Sequence, residues 1–255
     1  NPDFGKYPSV YKYQSSSAVV REVLACYGET EENPDPECLL KPKMKTIGVY
    51  SPLGRCLKTS FALTLGQIAA RSRAALYLNI EDDSGFESLF HTDFDRNLSD
   101  IIYYLRQGEK NLTARMASIV KPIGNLDFLP PAKEPLEERC ITEEEWRILI
   151  SSIREHSSYE MLIMDIGTGQ GCLKELLEEC DLIYMPVKND GISMAKLEHF
   201  ENMLKLWDCE ALSERIRKIH LPVRGLPDSR DRYLEQLVYS ELGEYTRSLL
   251  EQESV

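Results

Sequence analysis

The chain has 255 residues, 42% hydrophobic and 28% charged. Such values belong to a soluble globular protein long enough for one large domain, and they exclude a disordered tail, a collagen-like rod or a disulfide-stapled miniprotein. Lys and Arg total 30 against 42 Asp and Glu, a formal net charge of −12, which repels phosphate backbones and anionic lipid.

From the start of the chain, 10–13 reads as a short strand. A helix is expected over 15–27: a serine cluster suits its start, Val19, Val20, Val23, Leu24 and Tyr27 fall at helical spacing, and Gly28 ends it. Residues 29–42 hold three prolines and five acids without periodicity, the composition of a linker. The chain opens on Asn rather than Met, and the expectation is a fragment of something longer, with 1–28 an appendage or the tail of another domain.

From 43 onward strands and helices alternate. The pattern predicts strands over 44–50, 74–80, 126–129, 161–164, 182–187 and 218–221. Helices are predicted over 58–71, 97–107, 142–156, 192–207 and 233–252. Thr142 with Glu145 has the spacing of a capping box. Strands apolar throughout, alternating with helices, predict an α/β fold with a mostly parallel sheet covered on both faces. The last helix carries a stripe of Leu234, Leu237, Val238, Leu242, Tyr245, Leu249 and Leu250. Its polar face is acidic where a membrane-lying helix needs bases, so core packing is expected. The basic run Arg215-Ile216-Arg217-Lys218 is short, and a solvated helix end is expected there.

The seven cysteines are never closer than eight residues apart and the four histidines (91, 156, 199, 220) are scattered. That spacing predicts reduced thiols in a cytoplasmic protein and no metal cluster. No apolar run approaches the ~18–20 residues that span a bilayer, and no signal peptide opens the chain.

The chemistry is concentrated in Ser51-Pro52-Leu53-Gly54-Arg55-Cys56-Leu57-Lys58-Thr59-Ser60. A strand turns sharply and Lys-Thr-Ser opens a helix. In a phosphate-binding loop that arrangement aims backbone amides and the positive helix end at an anion. The lysine then reaches the terminal phosphates and the next hydroxyl ligates magnesium. These roles fall on Lys58 and Thr59, with Ser60 near the α-phosphate. Against G-x-x-x-x-G-K-[ST] only Gly54, Lys58 and Thr59 fit, so taken alone this is equally an ordinary strand-to-helix loop. Two strand ends add to it. The strand over 74–80 runs into Glu81-Asp82-Asp83, and the strand over 161–164 into Asp165-Ile166-Gly167-Thr168-Gly169. Acids at that edge of an open α/β sheet sit where ligands bind, and Asp165 is placed to orient a magnesium-bound water.

At these three places the sequence resembles the MinD/ParA family of deviant Walker A ATPases, over 44–252. Within it the likeness is greatest to the TadZ/CpaE branch, which positions pilus-assembly machinery. The finer likeness rests on Tyr50-Ser51-Pro52, Tyr77-Leu78-Asn79-Ile80-Glu81, Ser84-Gly85-Phe86 and Ile183-Tyr184-Met185-Pro186-Val187-Lys188. The resemblance implies a three-layer α/β/α P-loop domain over 43–255, preceded at 1–28 by the last strand and helix of a receiver-like domain. It also implies ATP and Mg2+ as cofactors, a homodimer, pilus-assembly or other polar protein partners, and a cytoplasmic location at a cell pole.

Carried over residue by residue, the resemblance assigns phosphate contacts to Gly54, Arg55, Cys56, Leu57, Lys58, Thr59 and Ser60, and magnesium to Thr59 and Asp165. Glu81 becomes the carboxylate that positions the attacking water, with Lys58 its catalytic companion. Asn79 stands where the family has an Asp, and Lys188 where an Asn often reads adenine. Leu53 replaces the lysine that reaches across a dimer, an interaction worth roughly 10³–10⁵ in rate in related enzymes. Leu57 replaces the glycine before Lys58, costing about 1–3 kcal/mol if that position needs φ > 0. Slow or absent hydrolysis is therefore expected. The rival expectations are a nucleotide-free scaffold working through protein contacts, and an active ATPase in which Arg55 substitutes for the missing lysine. Binding of DNA is the weakest of the readings.

Overall fold

Seven strands form one sheet in the order β3-β4-β2-β5-β1-β6-β7. The computed structural model describes residues 43–109, 111–223, 227 and 230–252. The strand, helix and linker expected over 10–42 lie outside the described residues.

The strands are β1 (Lys45–Val49), β2 (Ala75–Ile80), β3 (Lys121–Ile123), β4 (Leu126–Leu129), β5 (Met161–Ile166), β6 (Leu182–Pro186) and β7 (Ile216–Ile219). Among the described residues only the β3–β4 hairpin pair is antiparallel, and the other pairings are parallel. The mostly parallel α/β sheet expected from the sequence is therefore the fold. β2, β5 and β6 are buried at every residue, as a parallel sheet covered on both faces requires.

Because side chains alternate across a strand, each face has its own core. Leu76, Leu78, Leu162, Met164 and Ile183 join one cluster with Trp146, Leu149, Ile153, Phe200 and Leu204. Ala75, Tyr77, Met161, Ile163 and Tyr184 join the other, with Phe61, Leu65, Leu237 and Leu242. This parity decides the site. Asp165 shares its face with Met161 and Ile163, the face covered by helix α1 (Lys58–Ala69). Asn79 lies directly opposite Asp165 in the β2–β5 register.

The remaining helices are α2 (Phe86–Phe90), α3 (Leu98–Arg106), α4 (Leu112–Ile119), α5 (Pro135–Arg139), α6 (Glu143–His156), α7 (Leu173–Glu178), α8 (Gly191–Leu206), α9 (Glu210–Arg215), α10 (Tyr233–Val238) and α11 (Glu241–Gln252). α1 is buried almost all round because the sheet lies beneath it and α10 and α11 lie above. The α6 capping box forms as expected: Thr142 Oγ1 accepts from the Glu145 amide at 3.3 Å, and the Glu145 carboxylate accepts from the Thr142 amide at 2.8 Å. Thr142→Ala is expected to lower stability by about 1 kcal/mol, read as a thermal midpoint a few degrees lower.

Three expectations need correction. The strand placed over 218–221 is Ile216–Ile219, because β6 ends at Pro186, opposite Ile219, and offers no partner beyond it. Arg215 ends α9, but Arg217 and Lys218 are exposed on this edge strand rather than on a helix end. The helix expected over 233–252 is two helices. It breaks at Ser240, whose hydroxyl donates to Leu237 O at 2.7 Å and accepts the Gly243 amide at 3.4 Å. A serine side chain competes in this way with the helical ladder. Gly243 is needed at the corner: a Cβ there would sit 2.0 Å from Val238 O. The apolar stripe nonetheless faces the core, with Leu237, Val238 and Leu242 buried. Among the described residues no helix is long and apolar enough to cross a membrane, and no cluster of metal-ligating side chains occurs.

Candidate functional site

β1 delivers the chain to a loop anchored from below. Buried Ser51 donates to Pro186 O at 2.7 Å and accepts the Leu53 amide at 3.2 Å. Leu53 is buried, so the position where the resemblance expects a partner-reaching lysine is a packing position. The Cys56 thiol, also buried, donates to Leu53 O at 3.3 Å. The backbone then turns through the left-handed region twice, at Arg55 (φ 52) and Leu57 (φ 65). Neither residue is glycine, and a side chain in that region costs about 1–2 kcal/mol. Gly54, the one glycine in the loop, is not among the positive-φ residues.

The first amides of a helix have no intrahelical acceptor. In α1 the ladder begins with Phe61 N donating to Leu57 O at 2.9 Å, and no side chain caps the helix. Residues 58–60, and with them the positive helix end, border a cavity of about 400 Å³ lined by Leu53, Gly54, Arg55, Cys56, Leu57, Lys58, Thr59, Ser60, Glu81 and Thr168.

Lys58 is 8% exposed and already has partners. Its Nζ lies 2.6 Å from Glu81 Oε1, donates to Ile166 O at 2.5 Å and stands 6.0 Å from the centre of the Tyr50 ring. Beneath it Asp165 is fully buried. Its Oδ2 accepts from the Tyr77 hydroxyl at 2.9 Å and the Asn79 amide at 3.4 Å, while its Oδ1 has no hydrogen-bond partner among the described residues. Burial pushes the Asp165 carboxyl up to about 6, with Glu81 adding to the rise and Lys58, Thr59 and Tyr77 opposing it. Burial likewise pushes Tyr77 well above the usual tyrosine range, so its hydroxyl stays a donor.

These donors fit the two groups the loop implies. An orphaned, buried carboxylate oxygen beside the Thr59 hydroxyl suits magnesium, a hard ion taking oxygen ligands and keeping several waters. Lys58 with the helix-end amides suits a phosphate chain.

The structure brings Gly54, Arg55, Cys56, Leu57, Lys58, Thr59, Ser60 and Glu81 around one cavity; Asp165 is not in its lining but is buried next to Lys58 and Thr59. It places Lys188 elsewhere: the exposed side chain donates to Arg55 O at 2.7 Å, bracing the loop from outside the cavity lining. The Ser60 hydroxyl is engaged with Tyr233 OH of α10 at 3.1 Å. Sequence reasoning missed the roles of Tyr77 and Thr168. Tyr77 was discoverable, since positions 77, 79 and 165 share strand parity.

Neither a protein-family model nor a curated protein matches the chain. Solved structures do. A plasmid partition protein of Borrelia burgdorferi bound to AMPPNP has a TM-score of 0.61 at 15% identity, covering 84% of this chain and 100% of that one. A ParA family ATPase from Chlorobium tepidum has a TM-score of 0.59 at 18% identity, over 76% and 80%. A chain of the MinC:MinD cell division protein complex of Aquifex aeolicus has a TM-score of 0.53 at 14% identity, over 76% of each. The site described above therefore lies on the fold of the ParA and MinD ATPases.

Proposed function

We propose that the domain over 43–255 binds ATP with magnesium in the cavity between α1 and the ends of β1, β2 and β5. It hydrolyses ATP slowly or not at all, and acts as a positional or assembly factor of the TadZ/CpaE kind in pilus assembly. Lys58 and the loop amides hold the phosphates; Thr59 and Asp165 hold the metal. Bound magnesium would neutralise charge between the terminal phosphates. Glu81 is the residual carboxylate for orienting water, but its pairing with Lys58 and the burial of Leu53 leave the site short of a cation directed at the transition state. The protein forms a homodimer, works in the cytoplasm at a cell pole through protein partners, and carries at 1–28 the tail of a receiver-like domain.

The observation carrying this reading is that Lys58 and Thr59 line one cavity while the buried Asp165, in reach of both side chains, keeps Oδ1 without a hydrogen-bond partner among the described residues. One observation favours a second reading. The ammonium of Lys58 is already neutralised by Glu81 and solvated by Ile166 O, as in a scaffold that keeps the fold without a ligand. Calorimetry with Mg-ATP, paired with a phosphate-release assay, separates them. Binding at micromolar to low-millimolar concentration with little release is the expected result. No heat at millimolar nucleotide in a folded sample establishes the scaffold, and brisk release lost in Arg55→Ala establishes an active ATPase.

A further inference from the structure

A buried carboxylic acid outside the nucleotide cavity holds the loop that forms one of its walls. Glu138 on α5 is 2% exposed, and its Oε1 accepts from Gln170 Nε2 at 2.8 Å. The same Nε2 donates to Ile80 O at 3.3 Å, and the Gly167 amide donates to that carbonyl at 2.6 Å. The loop after β5 is thus fastened to the end of β2 at two points and to α5 at a third. The fit leaves no slack. A Cβ on Gly167 would stand 2.7 Å from Ile80 O, and one on Gly169 would stand 2.5 Å from Asp82 Oδ2 and 3.2 Å from the Arg139 guanidinium. Arg139 closes the far side by donating to both carboxylate oxygens of Asp82, at 3.1 and 2.7 Å. Thr168, in the middle of this loop, lines the cavity with Lys58 and Glu81.

We propose that Glu138, in its protonated form, is the positioning residue of the 167–171 loop. It holds Gln170, and through it Thr168, against the cavity; its ionisation releases the loop and weakens anion binding there.

A neutral carboxyl can accept from Gln170 without demanding a counter-charge. Ionised, it would be a buried anion beside other anions, and such groups are costly unless paired. Asp82 and Glu81 at the end of β2 oppose its ionisation, whereas the hydrogen bond from the neutral Gln170 amide and the charge of Arg139 on its own helix favour it without outweighing burial. Burial, the largest influence, pushes the Glu138 carboxyl up to about 8. An acid raised in the folded state binds its proton more tightly there than in the unfolded chain. The clasp is therefore strongest below the usual value of 4.5 and weakens as pH rises from there to about 8, where the loss is complete. The positioning of the loop stands on these contacts alone; the effect on anion binding rests on the nucleotide reading above.

The test is hydrogen exchange of the full chain at about pH 6 and about pH 9.5, each amide's rate divided by its intrinsic rate at that pH. A fluorescent ATP analogue with magnesium is titrated under the same conditions. In the wild type, protection over 167–171 is expected to fall by up to about 100-fold at the higher pH, since about two pH units separate pH 6 from the value at which the acid ionises. β5 itself should hold its protection, and analogue affinity should fall in parallel. Glu138→Gln, uncharged at both values, should keep loop protection and affinity at both. Unchanged protection in the wild type overturns the proposal, as does an equal loss in Glu138→Gln. The pH-dependent loop change without analogue binding at either pH sustains the positioning role and overturns the nucleotide reading instead.

Discussion

Replacing Lys58 by alanine is expected to weaken Mg-ATP binding at least about 100-fold, roughly 2.7 kcal/mol, and to lower stability by about 1–2 kcal/mol. The first effect follows from removing the one lysine that, among the described residues, lines the proposed phosphate cavity. Hydrogen bonds to ionised groups are the strong ones, and a phosphate chain left with the amides and the exposed Arg55 loses its buried counter-charge. The second follows from what Lys58 leaves behind. Breaking a fully buried ion pair costs about 3–5 kcal/mol. Here the Glu81 side chain is 26% exposed and can rehydrate, which reduces the cost. Asp165 cannot rehydrate. Without the lysine that favours its charged form, it takes up a proton at higher pH, neutralising itself at the expense of the metal position. Calorimetry and a thermal melt on the same sample read both effects. Binding unaltered by the substitution would remove Lys58 from the site.

Leu57→Gly should act in the opposite direction, raising affinity for Mg-ATP about tenfold and leaving stability unchanged or higher by up to about 1 kcal/mol. Leu57 sits at φ 65, a region costing an L-residue about 1–2 kcal/mol. Glycine adopts it freely, although its own backbone entropy takes back about 0.5–1 kcal/mol. The affinity gain has a separate origin. The branched side chain lines the cavity immediately before Lys58, so its removal opens the approach of an anion to the helix-end amides. A titration comparing the two proteins checks this. Weaker binding by the glycine variant would mean that the leucine side chain makes the site rather than obstructing it.

Much of the architecture is legible in the sequence because interior parallel strands are apolar at every position. The runs at 74–80 and 161–164 need no context to be recognised. Boundaries failed where a neighbour sets them: β7 is as long as β6 allows, and the corner at Ser240 depends on Val238 O meeting Gly243. The short helices at Phe86–Phe90, Pro135–Arg139, Leu173–Glu178 and Glu210–Arg215 span too few turns for periodicity to register.

At the proposed site, Lys58, Thr59 and Asp165 stand out in the sequence because strand ends and helix starts are where an open α/β sheet presents ligand groups. The conditional reading of Leu57 as a residue forced to positive φ holds. Glu138 could not be found in this way. It lies in the charged run Glu134-Pro135-Leu136-Glu137-Glu138-Arg139, which reads as solvated surface, and only the tertiary contact with Gln170 turns one of its acids inward. The pairing of Lys58 with Glu81 was likewise invisible, since it joins residues from different strand ends.

The most direct test is a crystal structure of the chain grown with magnesium and a non-hydrolysable ATP analogue. The account predicts phosphates against the amides of 58–60, Lys58 Nζ drawn from Glu81 and Ile166 O onto them, and the metal at the Thr59 hydroxyl with Asp165 behind it. Nucleotide absent from that cavity, with Lys58 still held by Glu81 and the Ile166 carbonyl, would contradict it.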